Sequence, residues 1–319
     1  MSRRTLVLLR VAVLVAVGVF LYIRIAAHQS TLAAWDEWHL ALEKADLRLW
    51  TVMLLLAVLN WGLEAAKWRL LMTAVEPMGR LRAFAATLAG TAIGIFTPNR
   101  TGEFVGRVLF LEPHNRWRGG FASVLGSIAQ FAVTVVIGGA AFVLWFPQQT
   151  KMLGGYWAGV AGAALVALVA VGTLVFYFQP RLLRQVVAKL PFLRRLDKDA
   201  AVLDGFPVQT TATVLGLSAM RYAVFAVQYI VLLAVVADMP WAISLIAVPL
   251  IFLVTTLVPT MMLTELGVRG SVAVALLVPT AQDPSPVLLA AFMLWAVNLA
   301  LPAVVGGFIL LIHRIKKPA

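Results

Sequence analysis

Long apolar stretches separated by short polar ones set the pattern of this chain. Residues 6–27, 49–72, 119–146, 155–178, 209–237 and 287–312 each reach or approach the ~20 apolar residues with which a helix crosses hydrocarbon. Two other stretches, 81–111 and 241–279, depart from that pattern. Each has two shorter apolar arms joined by a tip that holds proline, glycine and charge. Segment 28–48 is amphipathic and carries Asp36, Glu37, Glu43 and Asp46. It reads as an external interfacial helix with Trp35 and Trp38 at headgroup level.

The pattern predicts an all-α polytopic membrane protein. It has about six full spans plus two oppositely oriented, broken or re-entrant helical hairpins, some 8–10 membrane segments in all. Composition agrees. The 319 residues are 62% hydrophobic and 13% charged, against about a quarter charged in soluble domains. Mean hydropathy is +0.93. The longest polar stretch, 179–207, is too short for a core of its own, so residues 1–319 read as a single integral membrane domain. The opening residues resemble a signal peptide, but their long apolar run reads better as an uncleaved first span.

Charge then orients the spans. The net charge is +12, and in a soluble chain that would suggest nucleic acid. Here no basic soluble module exists to bind it, whereas cytoplasmic loops of membrane proteins carry excess Lys and Arg. The most basic loop, 179–207, holds Arg181, Arg184, Lys189, Arg194, Arg195 and Lys198 and is expected in the cytoplasm. So are both termini and the loops around Arg80 and Arg116, with the turns near Asp238 and Asp283 outside. Hairpin 81–111 then leaves the cytoplasm and returns to it, and hairpin 241–279 does the same from outside. Oppositely facing hairpins have the look of an inverted repeat.

The two tips also match in detail. "FTPNRTGEFVGRVLFL" has Pro98, Glu103 and Arg107; "LVPTMMLTELGVRGSVAVALL" has Pro259, Glu265 and Arg269. In each, arginine follows glutamate by four residues, so the pair shares one helix face. Either these are two independent structural ion pairs, or they line one polar site where broken helices enclose a substrate. Asn99 and Arg100 stand at the first tip and join the candidates. In "LNWGLEAAKWRLLM", Asn60, Glu64 and Lys67 fall on a common face. Glu64 and Lys67 either serve the site or simply pair with each other. Arg221 is expected to snorkel from the inner end of its span. Gln130, Gln228 and Asn298 are expected as interhelical hydrogen-bond partners. Cations outnumber carboxylates among the deep candidates, and half-helix N-termini add positive charge, which suits an anionic or phosphate-bearing lipid.

Other chemistry is excluded. There are no cysteines, hence no disulfide and no thiolate site. His28, His39, His114 and His313 have no metal spacing, and no P-loop, dinucleotide fingerprint or hydrolase triad appears. No metal or cofactor is expected.

The three stretches quoted above resemble the signatures of the lysylphosphatidylglycerol synthase transmembrane-region family, whose members include the flippase half of the multiple-peptide-resistance factor. The resemblance extends over about residues 5–312. It maps Glu103 and Arg107 onto the family's first tip, and Gly267 and Arg269 onto its late tip. The late tip departs from the pattern: Glu265 replaces a glycine, and Gly270 stands where a glutamate is usual. The resemblance implies a lipid flippase or transporter, not an enzyme, in a bacterial cytoplasmic membrane. Its cargo would be an anionic or modified phospholipid or a lipid-linked molecule. Full-length synthases carry a further soluble domain; this chain stops at Ala319 and is not expected to be a synthase. The alternatives are an intramembrane glycosyl- or phosphotransferase acting on a lipid, and a binding subunit without transport.

Overall fold

The computed structural model describes residues 43, 45–95, 97, 100–149, 156–191, 194–258, 262–278 and 283–312. The expected first span 6–27, most of 28–48, and Pro98, Asn99 and Pro259 lie outside the described residues.

Among the described residues the secondary structure is helical throughout. Helix α1, Leu47–Met72, opens with the Asp46 carboxylate accepting from the Leu49 amide at 2.8 Å. Helices α2 (Arg80–Gly94) and α3 (Gly102–Val108) flank the first tip. Helix α4 is Arg116–Gln149 and α5 is Tyr156–Phe178. The basic segment folds into α6 (Pro180–Lys189) and the single turn α7 (Asp197–Ala200). Helix α8 is Val208–Val236; α9 (Trp241–Leu257) and α10 (Met262–Leu277) form the second hairpin. Helices α11 (Ser285–Trp295) and α12 (Leu301–Ile312) are joined by a π-helical turn at Ala296–Ala300.

Among the described residues, five stretches are long and apolar enough to cross a membrane: 47–72, 113–146, 159–178, 208–236 and 285–312. The chain is a membrane protein. Its outer surface is apolar, with Leu55, Val58, Leu165, Leu168, Val171 and Phe308 all exposed, as lipid rather than water requires. The last stretch departs from the expected straight span. Pro302 has no N–H for the carbonyl four residues back, that of Asn298. The Trp61 indole donates to that carbonyl instead, at 3.1 Å. A substituted donor of this kind makes the break tolerable inside a membrane helix.

Small residues bring the first hairpin together. Gly90 and Gly94 on α2 and Gly102 and Gly106 on α3 are each spaced by four. A Cβ on Gly106 would lie 2.6 Å from the Gly90 Cα, and one on Gly102 would lie 2.7 Å from the Ile93 carbonyl oxygen. The helices therefore touch backbone to backbone and run antiparallel. Helix α12 crosses α2 still closer: a Cβ on Gly306 would stand 1.9 Å from the Leu88 carbonyl oxygen. The returning arm α3 of the expected hairpin 81–111 is only 7 residues long, or about 10 Å against a ~30 Å hydrocarbon core.

Two apolar cores flank the polar middle. One packs Met53, Tyr229, Leu233, Val248, Phe252 and Leu294 from α1, α8, α9 and α11. The other packs Trp68, Leu71, Ala86, Leu125 and Tyr177 from α1, α2, α4 and α5, with Leu111 from the turn after α3. Polar ties span both. Gln228 donates to the Met53 carbonyl at 3.0 Å, Trp68 to the Ser123 hydroxyl at 3.0 Å, and Tyr177 to the Thr211 carbonyl at 2.6 Å.

Candidate functional site

Between the two cores lies a polar cavity of about 350 Å³. Its walls come from the middle of three long helices: Asn60, Glu64 and Lys67 on α1, Gln130 and Thr134 on α4, Arg221, Tyr222 and Phe225 on α8. The hairpin tips complete it with Arg100, Glu103 and Arg107 from one side and Glu265 and Arg269 from the other. Of the nine residues singled out in the sequence, eight line this one cavity; Asn99 lies outside the described residues.

The ions form a connected set, which is why they tolerate burial. Glu64 stands 2.7 Å from Lys67, 2.8 Å from Arg107 and 3.5 Å from Arg221. Arg107 reaches Glu103 at 3.0 Å, and Arg269 pairs with Glu265 one helical turn back. The alternatives at Glu64 therefore do not compete: it pairs with Lys67 and lines the cavity.

Three contacts could not be read from spacing. First, the tip pairs are joined rather than independent. Arg100 lies 3.1 Å from Glu265 of the other hairpin and 3.8 Å from Glu103 of its own. Arg100 makes this link from a left-handed backbone, φ 56°. That conformation costs a non-glycine residue roughly 1–2 kcal/mol, and surrounding contacts must hold it there. Second, Arg221 does not snorkel. It turns inward, donating to the Gln130 side-chain Oε1 at 3.3 Å, and lies over the Trp61 ring at 5.4 Å. The cavity gives it a carboxylate, so it need not reach the interface. Third, the Asn60 amide donates to the Asn298 side chain at 2.9 Å, anchoring the π turn to the cavity wall. A π turn beside a polar cavity is the usual setting for such a defect. The signal in the sequence was Pro302, four residues after Asn298.

The charges do not cancel. Among the described residues, five cationic side chains, Lys67, Arg100, Arg107, Arg221 and Arg269, face three carboxylates, Glu64, Glu103 and Glu265. Buried surplus charge of this kind is costly without a counter-ion. The arrangement is therefore chemically suited to an anion such as a phosphate ester. No cluster of three or more His, Cys, Asp or Glu side chains able to hold a metal occurs among the described residues.

Neither a curated protein nor a solved structure matches the chain. A protein family does: the one described as the lysylphosphatidylglycerol synthase TM region matches residues 7–306. The match runs from the first predicted span through the second half of the last, and it includes every residue of the cavity. The chain therefore belongs to the lysylphosphatidylglycerol synthase TM region family.

Proposed function

We propose that this protein is a lipid transporter that moves an anionic, phosphate-bearing lipid between the leaflets of a bacterial cytoplasmic membrane. The observation that carries the reading is the cavity's surplus of positive charge at mid-length of α1, α4 and α8. If those helices span the bilayer, the surplus stands near the midplane, where a headgroup in transit needs a polar, counter-charged shelter. Membership of a family named for a lipid-modifying system supports a lipid as cargo.

The hairpins α2–α3 and α9–α10 then enter from opposite faces and meet at Arg100 and Glu265. Alternating movement of the two tips would open the cavity to one leaflet and then the other. The termini and the basic segment 179–207 lie in the cytoplasm by their charge.

The test uses purified protein in liposomes with a labelled anionic phospholipid in one leaflet. The expected result is protein-dependent movement to the other leaflet, much slower for a neutral lipid of equal chain length. No movement above protein-free vesicles refutes transport. Chemical conversion of the lipid without movement would identify an intramembrane enzyme instead.

A further inference from the structure

We propose that the anionic group is seated on Arg269, and that Arg107, despite its matching position, holds the protein together rather than the ligand. This rests on the reading of the cavity as an anionic-lipid site and names where in it the anion binds.

The two arginines look equivalent. Each follows a glutamate by four residues, and each is 4% exposed. Their partners differ. Arg107 gives Nη1 to Glu64 at 2.8 Å and Nη2 to Glu103 at 3.0 Å. An incoming anion would have to displace a carboxylate to reach either of these nitrogens, and only the buried Nε of Arg107 has no partner among the described residues. Arg269 gives only Nη2, to Glu265. Its Nε and Nη1 are buried and have no hydrogen-bond partner among the described residues.

The cause lies in the number of carboxylates within reach: Glu64 and Glu103 for Arg107, Glu265 alone among the described residues for Arg269. The other oxygen of Glu265 is drawn to Arg100 at 3.1 Å, so one carboxylate serves two cations. Aromatic rings line the pocket around Arg269, with Phe225 at 5.3 Å and Phe252 at 5.9 Å from its guanidinium carbon. Ring faces attract a cation weakly and accept no strong hydrogen bond, so the two nitrogens remain unsatisfied. Leaving buried donors unmade is expensive unless a ligand supplies the acceptors. The Tyr222 hydroxyl is a further buried donor without a partner. Its ring packs edge-on to Phe252 at 5.6 Å, on the same cavity wall.

Phosphate ester oxygens fit such donors, and a lipid headgroup or free phosphate would offer the same chemistry. The rim favours the lipid. Ser127 and Phe131 on α4 and Thr256 on α9 line the cavity and are also exposed, so it opens along the flank of apolar helices.

The experiment measures binding of dihexanoyl phosphatidic acid, and separately of inorganic phosphate, to purified protein by calorimetry. Melting temperature is read on the same samples. Arg269→Gln is expected to weaken phosphatidic acid binding roughly ten- to hundredfold, with melting close to wild type. Arg107→Gln is expected to do the reverse: a clear fall in melting temperature, and an affinity loss about tenfold smaller. Glu265→Gln removes the competing carboxylate and is expected to tighten binding, a test that stands even if Arg269→Gln folds poorly. Equal or greater affinity loss in Arg107→Gln, or weaker binding in Glu265→Gln, overturns the seat. Inorganic phosphate competing on equal terms with the lipid overturns the lipid as its source. Wild-type protein that binds phosphatidic acid but moves no lipid in vesicles would refute transport and leave the Arg269 seat standing.

Discussion

Glu64 lies 2.7 Å from Lys67, 2.8 Å from Arg107 and 3.5 Å from Arg221, so one carboxylate faces three cations. Glu64→Gln keeps its shape and removes the charge they share. The expected loss is about 3–5 kcal/mol, as for breaking a buried ion pair, read as a lower midpoint of thermal unfolding in detergent. Adding Lys67→Met to Glu64→Gln removes one stranded cation and is expected to recover part of the loss. A Glu64→Gln protein that melts like wild type would show that the network does not hold the helices. Trp61 is a second such residue, because its N–H meets the carbonyl that Pro302 leaves without its helical donor. Trp61→Phe keeps most of the ring and loses the donor. It is expected to cost about 1–3 kcal/mol, and an unchanged melting curve would refute that account of the break.

Among the elements, the closest approach is α12 on α2. A methyl on Gly306 would meet the Leu88 backbone, whereas one on Gly307 meets nothing within 4 Å. Gly306→Ala is therefore expected to cost about 1–3 kcal/mol or more, because two backbones must separate. Gly307→Ala is expected to fall within about 0.5 kcal/mol of wild type. If the two variants melt alike, the helices do not pack as described. The basic segment is held by different forces. Arg184 binds Asp197 through two hydrogen bonds of 3.1 Å and also pairs with Asp204, tying α6 to α7 and the turn beyond. Its hydrogen bonds hold the Asp197 carboxyl below the usual range. That contribution is fully present above about pH 4, the unfolded carboxyl's value. It is lost as the pH falls through the lower, folded one. Proteolysis within 179–207 should accelerate in that acid window, and to a smaller degree in Asp197→Asn, which has lost the effect already. No change with pH in the wild type would contradict this.

For the molecule as a whole, the testable property is orientation. The chain has no cysteine, so a single one can be introduced and reached from either side. Arg195 is exposed on the basic segment. Arg195→Cys is expected to react with a membrane-impermeant thiol reagent only after cells are opened. Labelling in intact cells would invert the whole arrangement, including which hairpin faces the cytoplasm.

Periodicity and length located the five long apolar stretches of the described residues, because each is a local property: a run of apolar residues needs only its own sequence to be driven from water. Helices α1, α4, α5 and α8 fall within a few residues of their predicted bounds, and α9 and α10 both lie within the predicted hairpin 241–279. The pairing of Glu103 with Arg107, and of Glu265 with Arg269, was equally legible, since a helix fixes what lies one turn away. What sequence could not reveal was the choice of distant partners. Glu64 meets Arg107 from 43 positions away, and Asn60 meets Asn298 from 238. Arg221, read locally, belonged at the interface; only the folded chain gave it a carboxylate. The same holds for the two tips. Their similarity was written in the sequence, but the sharing of Glu265 with Arg100 was not. Folding leaves Arg269 with that one shared carboxylate, while it brings Arg107 two, Glu64 and Glu103. Charge near a helix break can be seen in one dimension, but which charges remain unsatisfied depends on every group that packing brings within 4 Å.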